Sequence, residues 1–175
     1  MASVAQKIAV LGLTAPPNRI KVFPAPGLIG ASLSTVGTST LTVAGTIYYT
    51  EMILPTNMLV TGVAVLNGAI AGGTDTGQVG IWDNSGTLQA QTAASVTSGV
   101  NTLQQRALLA TKTLVMGRYW VGYQSNGATD SVRLFATGTF LDIATTIQAG
   151  TYPTLAPMTP VQTFTALNGA VVYLY

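Results

Sequence analysis

Short stretches in which apolar and polar residues alternate run along most of this chain, a period-two pattern that is typical of half-buried β-strands. In 58–66, for example, Leu59 and Val63 fall on one face and Val60 and Leu66 on the other. Gly, Pro, Asn and Asp break the pattern about every eight to twelve residues, as they do between the strands of sandwiches and barrels. The pattern predicts about eight strands, at 46–54, 58–66, 78–82, 87–91, 102–110, 118–123, 131–135 and 170–175.

The segments between these strands predict turns rather than helices. Asp83–Gly86 has Asp at the first and Gly at the fourth position of a β-turn, and Ser125–Gly127 is a second turn signal. Residues 102–110 have the one helix-leaning composition, but Thr, Ser and Gly on both sides favour a strand. We therefore predict an all-β fold, a single β-sandwich that is jelly-roll-like because long connections join distant strands. An immunoglobulin-like sandwich stays open, since periodicity does not encode strand order.

The first 45 residues differ from the rest. Four prolines lie between positions 16 and 26, where they favour extended geometry, and 30–39 is rich in Gly, Ser and Thr. We predict an extended N-terminal arm and linker at 1–45 and a sandwich domain at 46–175, the alternative being a poorly ordered terminus. The arm contains apolar and basic side chains that suit binding to a partner protein: Arg19, Lys21, Val22, Phe23, Leu28 and Ile29.

Charged residues are scarce. They make up 7% of the chain, against about a quarter in an average globular domain. Thr occurs 27 times and Gly 19 times, and the chain is 48% hydrophobic, which is the opposite of a disordered composition. A surface of Thr, Ser, Ala and Asn keeps little electrostatic repulsion between copies. The composition therefore indicates a protein that packs against neighbours.

Charge and hydropathy argue against two classes of partner. The net charge of +2 divides into +3 in 1–45 and −1 in 46–175, which is too sparse for the basic stripe of a nucleic-acid-binding protein. The most apolar stretch, 58–71, is interrupted by polar residues and falls short of the roughly 18 residues of a membrane span. Residues 1–7 lack the apolar core of a signal peptide. We expect no direct nucleic-acid contact, no membrane contact and synthesis in a cytoplasm.

No set of side chains for catalysis is evident. His and Cys are absent and the five acidic residues are scattered singly, whereas acid–base chemistry and metal binding need converging titratable ligands. We expect no enzyme activity, no catalytic residue, no metal site and no cofactor. Asp75 and Asp83 could each offer a carboxylate to a calcium-binding loop. One carboxylate per loop favours the alternative that they cap turns.

Four aromatic side chains are candidates for stacking on host glycans or for anchoring a protein interface: Trp82, Tyr48, Tyr49 and Trp120. Alternation places one face of each strand in the core, so core packing is the favoured interpretation for any single one of them. Trp82, beside the Asp83 turn, and Tyr48 or Tyr49 are the best candidates for exposure.

Two segments resemble a module of tailed-bacteriophage virion proteins. They are GQVGIWDNSGTLQAQTA (77–93), with an aromatic-Asp pair before a Ser-Gly turn, and GRYWVGYQSNGATDSVRLFATGTF (117–140). The closing VVYLY also fits, and the resemblance covers roughly 46–175. It implies a β-sandwich or jelly-roll unit that usually self-associates, in a head decoration, a head fibre or a tail fibre. It carries no catalytic residue to this chain, and residues 1–45 have no counterpart in it.

The resulting hypothesis is a capsid-decoration or cement protein. It would dock on the phage head through its N-terminal arm, contact the major capsid protein or another virion protein, and associate with itself, a homotrimer being the natural closed arrangement. Its location would be the virion, assembled in the host cytoplasm. The alternative is a host-glycan-binding module of a head fibre or tail fibre, and a neck or tail-tube component is a third interpretation.

Overall fold

The structure is a computed structural model that describes residues 34–136 and 143–175. Within those ranges there are eleven β-strands and no helix: β1 (Thr38–Leu41), β2 (Thr46–Leu54), β3 (Met58–Leu66), β4 (Thr76–Asp83), β5 (Leu88–Gln91), β6 (Ser95–Val96), β7 (Leu103–Leu114), β8 (Gly117–Ser125), β9 (Ser131–Leu134), β10 (Thr145–Ala149) and β11 (Val172–Leu174).

Three antiparallel sheets form from these strands. The large sheet has the order β10-β2-β8-β4-β5, with β6 also paired to β4, and the small sheet has the order β11-β3-β7. Strands β1 and β9 form a third, two-stranded sheet. The sheets pack against one another, which confirms the prediction of an all-β sandwich.

The main core lies between the large and small sheets. Alternation sends every second residue of each strand inward, so Tyr48 and Met52 of β2 meet Val63 and Val65 of β3 across the gap. The strand β8 contributes its odd-numbered side chains in the same way, with Tyr119, Val121 and Tyr123 all buried.

The opposite face of the large sheet is also buried. Residues 151–165, which we name the strap, run between β10 and β11 over the side chains that point away from the small sheet. Leu155 and Met158 of the strap pack there with Trp82 and Trp120 of the sheet. The large sheet is therefore covered on both faces, by the small sheet on one and by the strap on the other.

The predicted strands compare closely with the observed ones where the sequence is apolar. β2 and β3 have the predicted bounds, and the strand predicted at 102–110 forms but continues to Leu114 as β7. Three short strands were not predicted. β1 and β10 are rich in Thr, and β6 has only two residues, so none carries an alternating apolar signal.

Two predicted boundaries need correction. β1 lies within the segment predicted as arm and linker, where Thr38 to Leu41 pair with β9, so the folded part begins before residue 46. Between the strands predicted at 131–135 and 170–175 no strand was expected, but β10 forms there at the edge of the large sheet.

Gly86 fixes the contact between the β4–β5 turn and the strap. Its φ is 85°, its carbonyl oxygen accepts a hydrogen bond from the Met158 amide at 3.0 Å, and a Cβ at this position would clash with the Met158 carbonyl oxygen. We expect Gly86→Ala to lower the free energy of unfolding by at least about 2 kcal/mol, because it combines a left-handed conformation with a backbone clash. Chemical denaturation followed by circular dichroism would measure it.

Gly73→Ala is the matched control. Gly73 has a φ of 74°, but a Cβ there would meet no atom within 4 Å. Gly73→Ala should therefore lower the free energy of unfolding by about 1 kcal/mol, through the unfavourable backbone conformation alone. Equal costs for the two substitutions would show that the strap is not held at Gly86.

Candidate interaction surface

Few charged groups reach the outer surface of the described domain. Eight charged residues fall within the described ranges, four basic and four acidic, and none of their side chains is exposed. Glu51, Asp75, Arg106, Asp130 and Arg133 are buried, and Asp83, Lys112 and Arg118 are half-buried. More than half of the described charged residues are thus buried, although such residues normally lie in water.

Glu51 and Arg118 form an ion pair on the strap side of the large sheet. The second carboxylate oxygen of Glu51 accepts a hydrogen bond from the Ala144 amide at 2.6 Å. The Arg118 guanidinium donates to the Val161 carbonyl at 2.8 Å and lies 5.2 Å from the centre of the Trp120 ring. Both charges therefore have partners, as burial requires.

Arg106 is buried among carbonyl groups instead of carboxylates. Its guanidinium donates to the carbonyls of Gly77 at 2.6 Å and Ser95 at 2.9 Å, and to the Ser95 hydroxyl. It also lies 5.7 Å from the centre of the Tyr123 ring. Burial lowers the pKa of this guanidinium. Arg106 thus ties β4, β6 and β7 together at one end of the core.

Large apolar side chains are exposed where charge is missing. The most exposed is Met116, at 68%, in the turn between β7 and β8, where its amide donates to the Asn57 side chain at 2.8 Å. The other exposed large apolar residues are Leu41, Val43, Ile53, Leu59, Ile70, Val96, Val100, Leu109, Val115, Ile147 and Leu167. The exterior thus combines uncharged polar side chains with these apolar ones.

The four aromatic residues proposed as glycan or interface platforms are buried. Trp82 and Trp120 are 0% exposed, Tyr49 1% and Tyr48 5%. The expectation that Trp82, Tyr48 or Tyr49 would be exposed is therefore wrong, and the favoured alternative, core packing, is confirmed. Tyr48 belongs to the core between the sheets, and the other three lie beneath the strap.

Trp82 and Trp120 are direct neighbours across β4 and β8. The Tyr49 ring meets Trp82 edge-on, with the ring centres 4.9 Å apart. The Trp82 indole donates a hydrogen bond to the Ala156 carbonyl of the strap at 2.9 Å, whereas the Trp120 indole nitrogen has no partner within the described ranges. The Trp82 indole donor thus serves the strap.

Polar side chains of the same sheet face satisfy the strap's backbone. The Gln78 amide donates to the Pro153 carbonyl at 2.6 Å and to the Gln124 side chain at 3.0 Å. At β10, Gln148 exchanges two hydrogen bonds with the backbone of Thr159, at 2.7 Å and 3.1 Å. The sequence signal for this arrangement has two parts. Gln, Arg and Trp fall at alternate positions, on one face of β4 and β8, and the later connection at 151–165 contains three prolines.

Asp75 and Asp83 cap turns, as the favoured alternative predicted. The Asp83 carboxylate accepts from the amides of Ser85 at 2.8 Å and Thr87 at 3.1 Å within its own turn. Asp75 accepts from the amides of Thr129 at 2.8 Å and Asp130 at 2.9 Å in a neighbouring loop. In the described part of the chain, no three His, Cys, Asp or Glu side chains come together as a metal site would require.

Hydrogen bonding controls the acidity of both carboxyl groups. Burial raises the pKa of Asp75, but the hydrogen bonds from Asp130 and Thr129 outweigh it and hold the pKa below the ordinary value of 3.8. The pKa of Asp83 is lowered in the same way, against burial, by hydrogen bonds from Ser85, Thr87 and Gln89.

The predicted partner-binding residues of the arm lie outside the described ranges: Arg19, Lys21, Val22, Phe23, Leu28 and Ile29. Among the described residues, no helix is long and apolar enough to cross a membrane. Comparison with family models, with curated proteins and with solved structures finds no match to this chain.

The two tryptophans give a matched pair of substitutions. Trp82→Phe leaves the Ala156 carbonyl without its donor, whereas Trp120→Phe removes an indole N–H that has no partner among the described residues. We expect Trp82→Phe to be the more destabilising by about 1–2 kcal/mol, the cost of one buried unpaired polar group. Urea denaturation of both variants would test this, and equal losses would contradict the assigned hydrogen bond.

Asp75→Asn should have an effect that depends on pH. Because folding lowers the Asp75 pKa, its stabilising contribution is present above the unfolded value of 3.8 and is lost as pH falls through the folded pKa. We expect the variant to be less stable than the parent by about 1–2 kcal/mol at neutral pH, with the difference shrinking in strong acid. Chemical denaturation of parent and variant at neutral pH and in strong acid would measure the difference in their free energies of unfolding. Gly86→Ala changes no ionisable group, so it should lower the free energy of unfolding by the same amount at both pH values.

Proposed function

We propose that this chain is a structural protein of a tailed-bacteriophage virion, a capsid-decoration protein that docks on the head through its N-terminal arm and associates with itself as a homotrimer. The observation that carries the proposal is the surface of the sandwich. None of the charged side chains in the described ranges is exposed, while large apolar side chains are. The cores of protein–protein interfaces are depleted of charged residues in the same way. A surface that carries many like charges, by contrast, repels other copies of the same protein.

The resemblance to phage virion modules supports the same proposal through the architecture. Its most specific residues build the fold: Trp82 and Trp120 pair beneath the strap, and Asp83 with Gly86 makes the turn that holds the strap. The resemblance thus rests on residues that shape the sandwich unit. Such a unit suits a particle component whose function is to fit against its neighbours.

The distribution of charge favours the arm as the docking element. The four bases and four acids of the described ranges cancel. The net charge of +2 therefore comes from the remaining charged residues, which are the bases Lys7, Arg19 and Lys21 and the acid Asp142. A basic segment that also contains Phe23 and Ile29 can combine attraction to an acidic partner with apolar burial. An arm of this kind must offset its loss of conformational entropy by contacting several neighbours.

The glycan-binding alternative loses the residues on which it depended. An aromatic platform needs exposed rings, and all four candidate rings are buried in the sheet interior or under the strap. We therefore develop the decoration hypothesis alone.

The copy number of the chain in purified particles tests this function. We expect quantitative mass spectrometry to give a copy number comparable to that of the major capsid protein, because decoration covers the whole head. A handful of copies per particle would contradict decoration and indicate a fibre or tail part. A purified protein that stays monomeric and does not bind capsids would also overturn the proposal.

A further inference from the structure

Strand β10 leaves one side of the large sheet open. Within the described ranges it pairs with β2 on one side and with no strand on the other. At the far side of the large sheet the situation differs, because Thr92, next to β5, forms a bridge with Leu108 of β7. The sandwich is thus closed along one side and open at β10.

The hydrogen-bond register identifies the free groups on this edge. Glu51 donates to the Ala144 carbonyl and Gly150 donates to the Gly45 carbonyl, each at 2.9 Å. In an antiparallel pair such bonded positions recur at every second residue, so the even-numbered residues of β10 bond to β2. The backbone groups of Thr145, Ile147 and Ala149 therefore point away from the sheet.

The strap occupies the Thr145 end of this edge, where the Thr145 hydroxyl donates to the Thr165 carbonyl at 2.5 Å and accepts from the Thr165 amide at 2.9 Å. Within the described ranges, the backbone groups of Ile147 and Ala149 at the other end bond to no neighbouring strand. The Thr145 amide donates to the Thr163 carbonyl of the strap at 3.1 Å, and the Thr146 hydroxyl makes a long 3.4 Å contact with the Ile147 carbonyl. Ile147 is 45% exposed. β10 has no proline, lysine or other charged residue, the devices that usually prevent an edge from pairing.

We propose that residues 20–23 of a neighbouring copy add to the large sheet as a strand beside β10. This inference rests on the proposed function only in that copies of the chain associate. The segment Ile-Lys-Val-Phe has the β-branched, alternating character of a strand, and Pro24 ends it. Ile147 lies opposite Tyr48 in the register, so its side chain points to the face of the main core, where Ile20 and Val22 would cover it.

The length and composition of the chain between the segment and the domain fit an exchange between copies. Residues 24–33 can span at most about 35 Å, which is enough to reach an adjacent subunit. Pro24 and Pro26 are residues that favour extended backbone, which suits a long reach. The uncharged surface of the domain allows the close approach that such an exchange needs.

Cysteine cross-linking tests this exchange directly, because the chain has no Cys of its own. We would mix full-length Val22→Cys protein with full-length Ile147→Cys protein and oxidise the mixture. We expect a disulfide-linked heterodimer on a non-reducing gel, with Ile20→Cys in place of Val22→Cys as a second probe on the same face. Leu41→Cys is the matched control, since Leu41 is 49% exposed on β1, an edge strand of the two-stranded sheet.

Absence of a heterodimer with both probes, or equal cross-linking to Leu41→Cys, would overturn the proposal. A double variant that carries both Val22→Cys and Ile147→Cys gives a further test. If its disulfide forms only within single chains, the segment binds its own domain and the proposal is overturned.

A substitution that blocks the edge gives an independent readout. Ile147→Lys should weaken self-association by at least about tenfold in analytical ultracentrifugation, the equivalent of one or two net backbone hydrogen bonds. Leu41→Lys introduces the same charge and should leave the association unchanged. Equal effects of both lysines would contradict the role of β10. Cross-linking in the isolated protein is independent of the copy number in particles, so either proposal can fail while the other stands.

Discussion

The structure depends on covering the outer face of the large sheet. That face carries the neighbouring indoles of Trp82 and Trp120, which would cost several kcal/mol if left in water. The strap covers them, but a segment without regular pairing brings carbonyl groups into a buried setting, where each needs a donor. The sheet supplies these donors from its own side chains: Trp82 to Ala156, Gln78 to Pro153 and Arg118 to Val161.

The same requirement explains why charged residues are turned inward. Arg118 serves the strap and is neutralised by Glu51, and Arg106 holds the backbone of β4 and β6. Asp75 caps a neighbouring loop. In the described part of this domain five of the eight charged residues are buried, and Arg118, Arg106 and Asp75 act as hydrogen-bonding groups for neighbouring backbone. The proposed role in a particle shell rests on the exterior of this domain.

The sequence predicted those parts of the fold that rest on local periodicity. The bounds of β2 and β3 and the Asp83–Gly86 turn followed from alternation and turn chemistry. β10 could not be predicted, because its strand character comes from pairing with β2 and not from its own Thr-rich sequence. Core packing was the favoured interpretation for each aromatic residue, but the sequence did not show that Trp82 and Trp120 are buried together under the strap. Alternation identifies the two faces of a strand, but only the tertiary path of the strap shows that both are covered. The uncharged exterior could be anticipated from composition, whereas the inward placement of the eight described charges required the structure.

The position of the strap in the chain has a consequence for biosynthesis. β4 and β8 emerge from the ribosome before residues 151–165, so the face with Trp82 and Trp120 exists for a time without its cover. A nascent sheet with exposed indoles and an open edge is prone to associate with other chains. The contacts between the strap and the sheet join residues far apart in sequence, so the docking of the strap is also slow. The yield of folded protein in a host cell should thus depend on the rate at which the strap docks, and on chaperones that shield the sheet until it does.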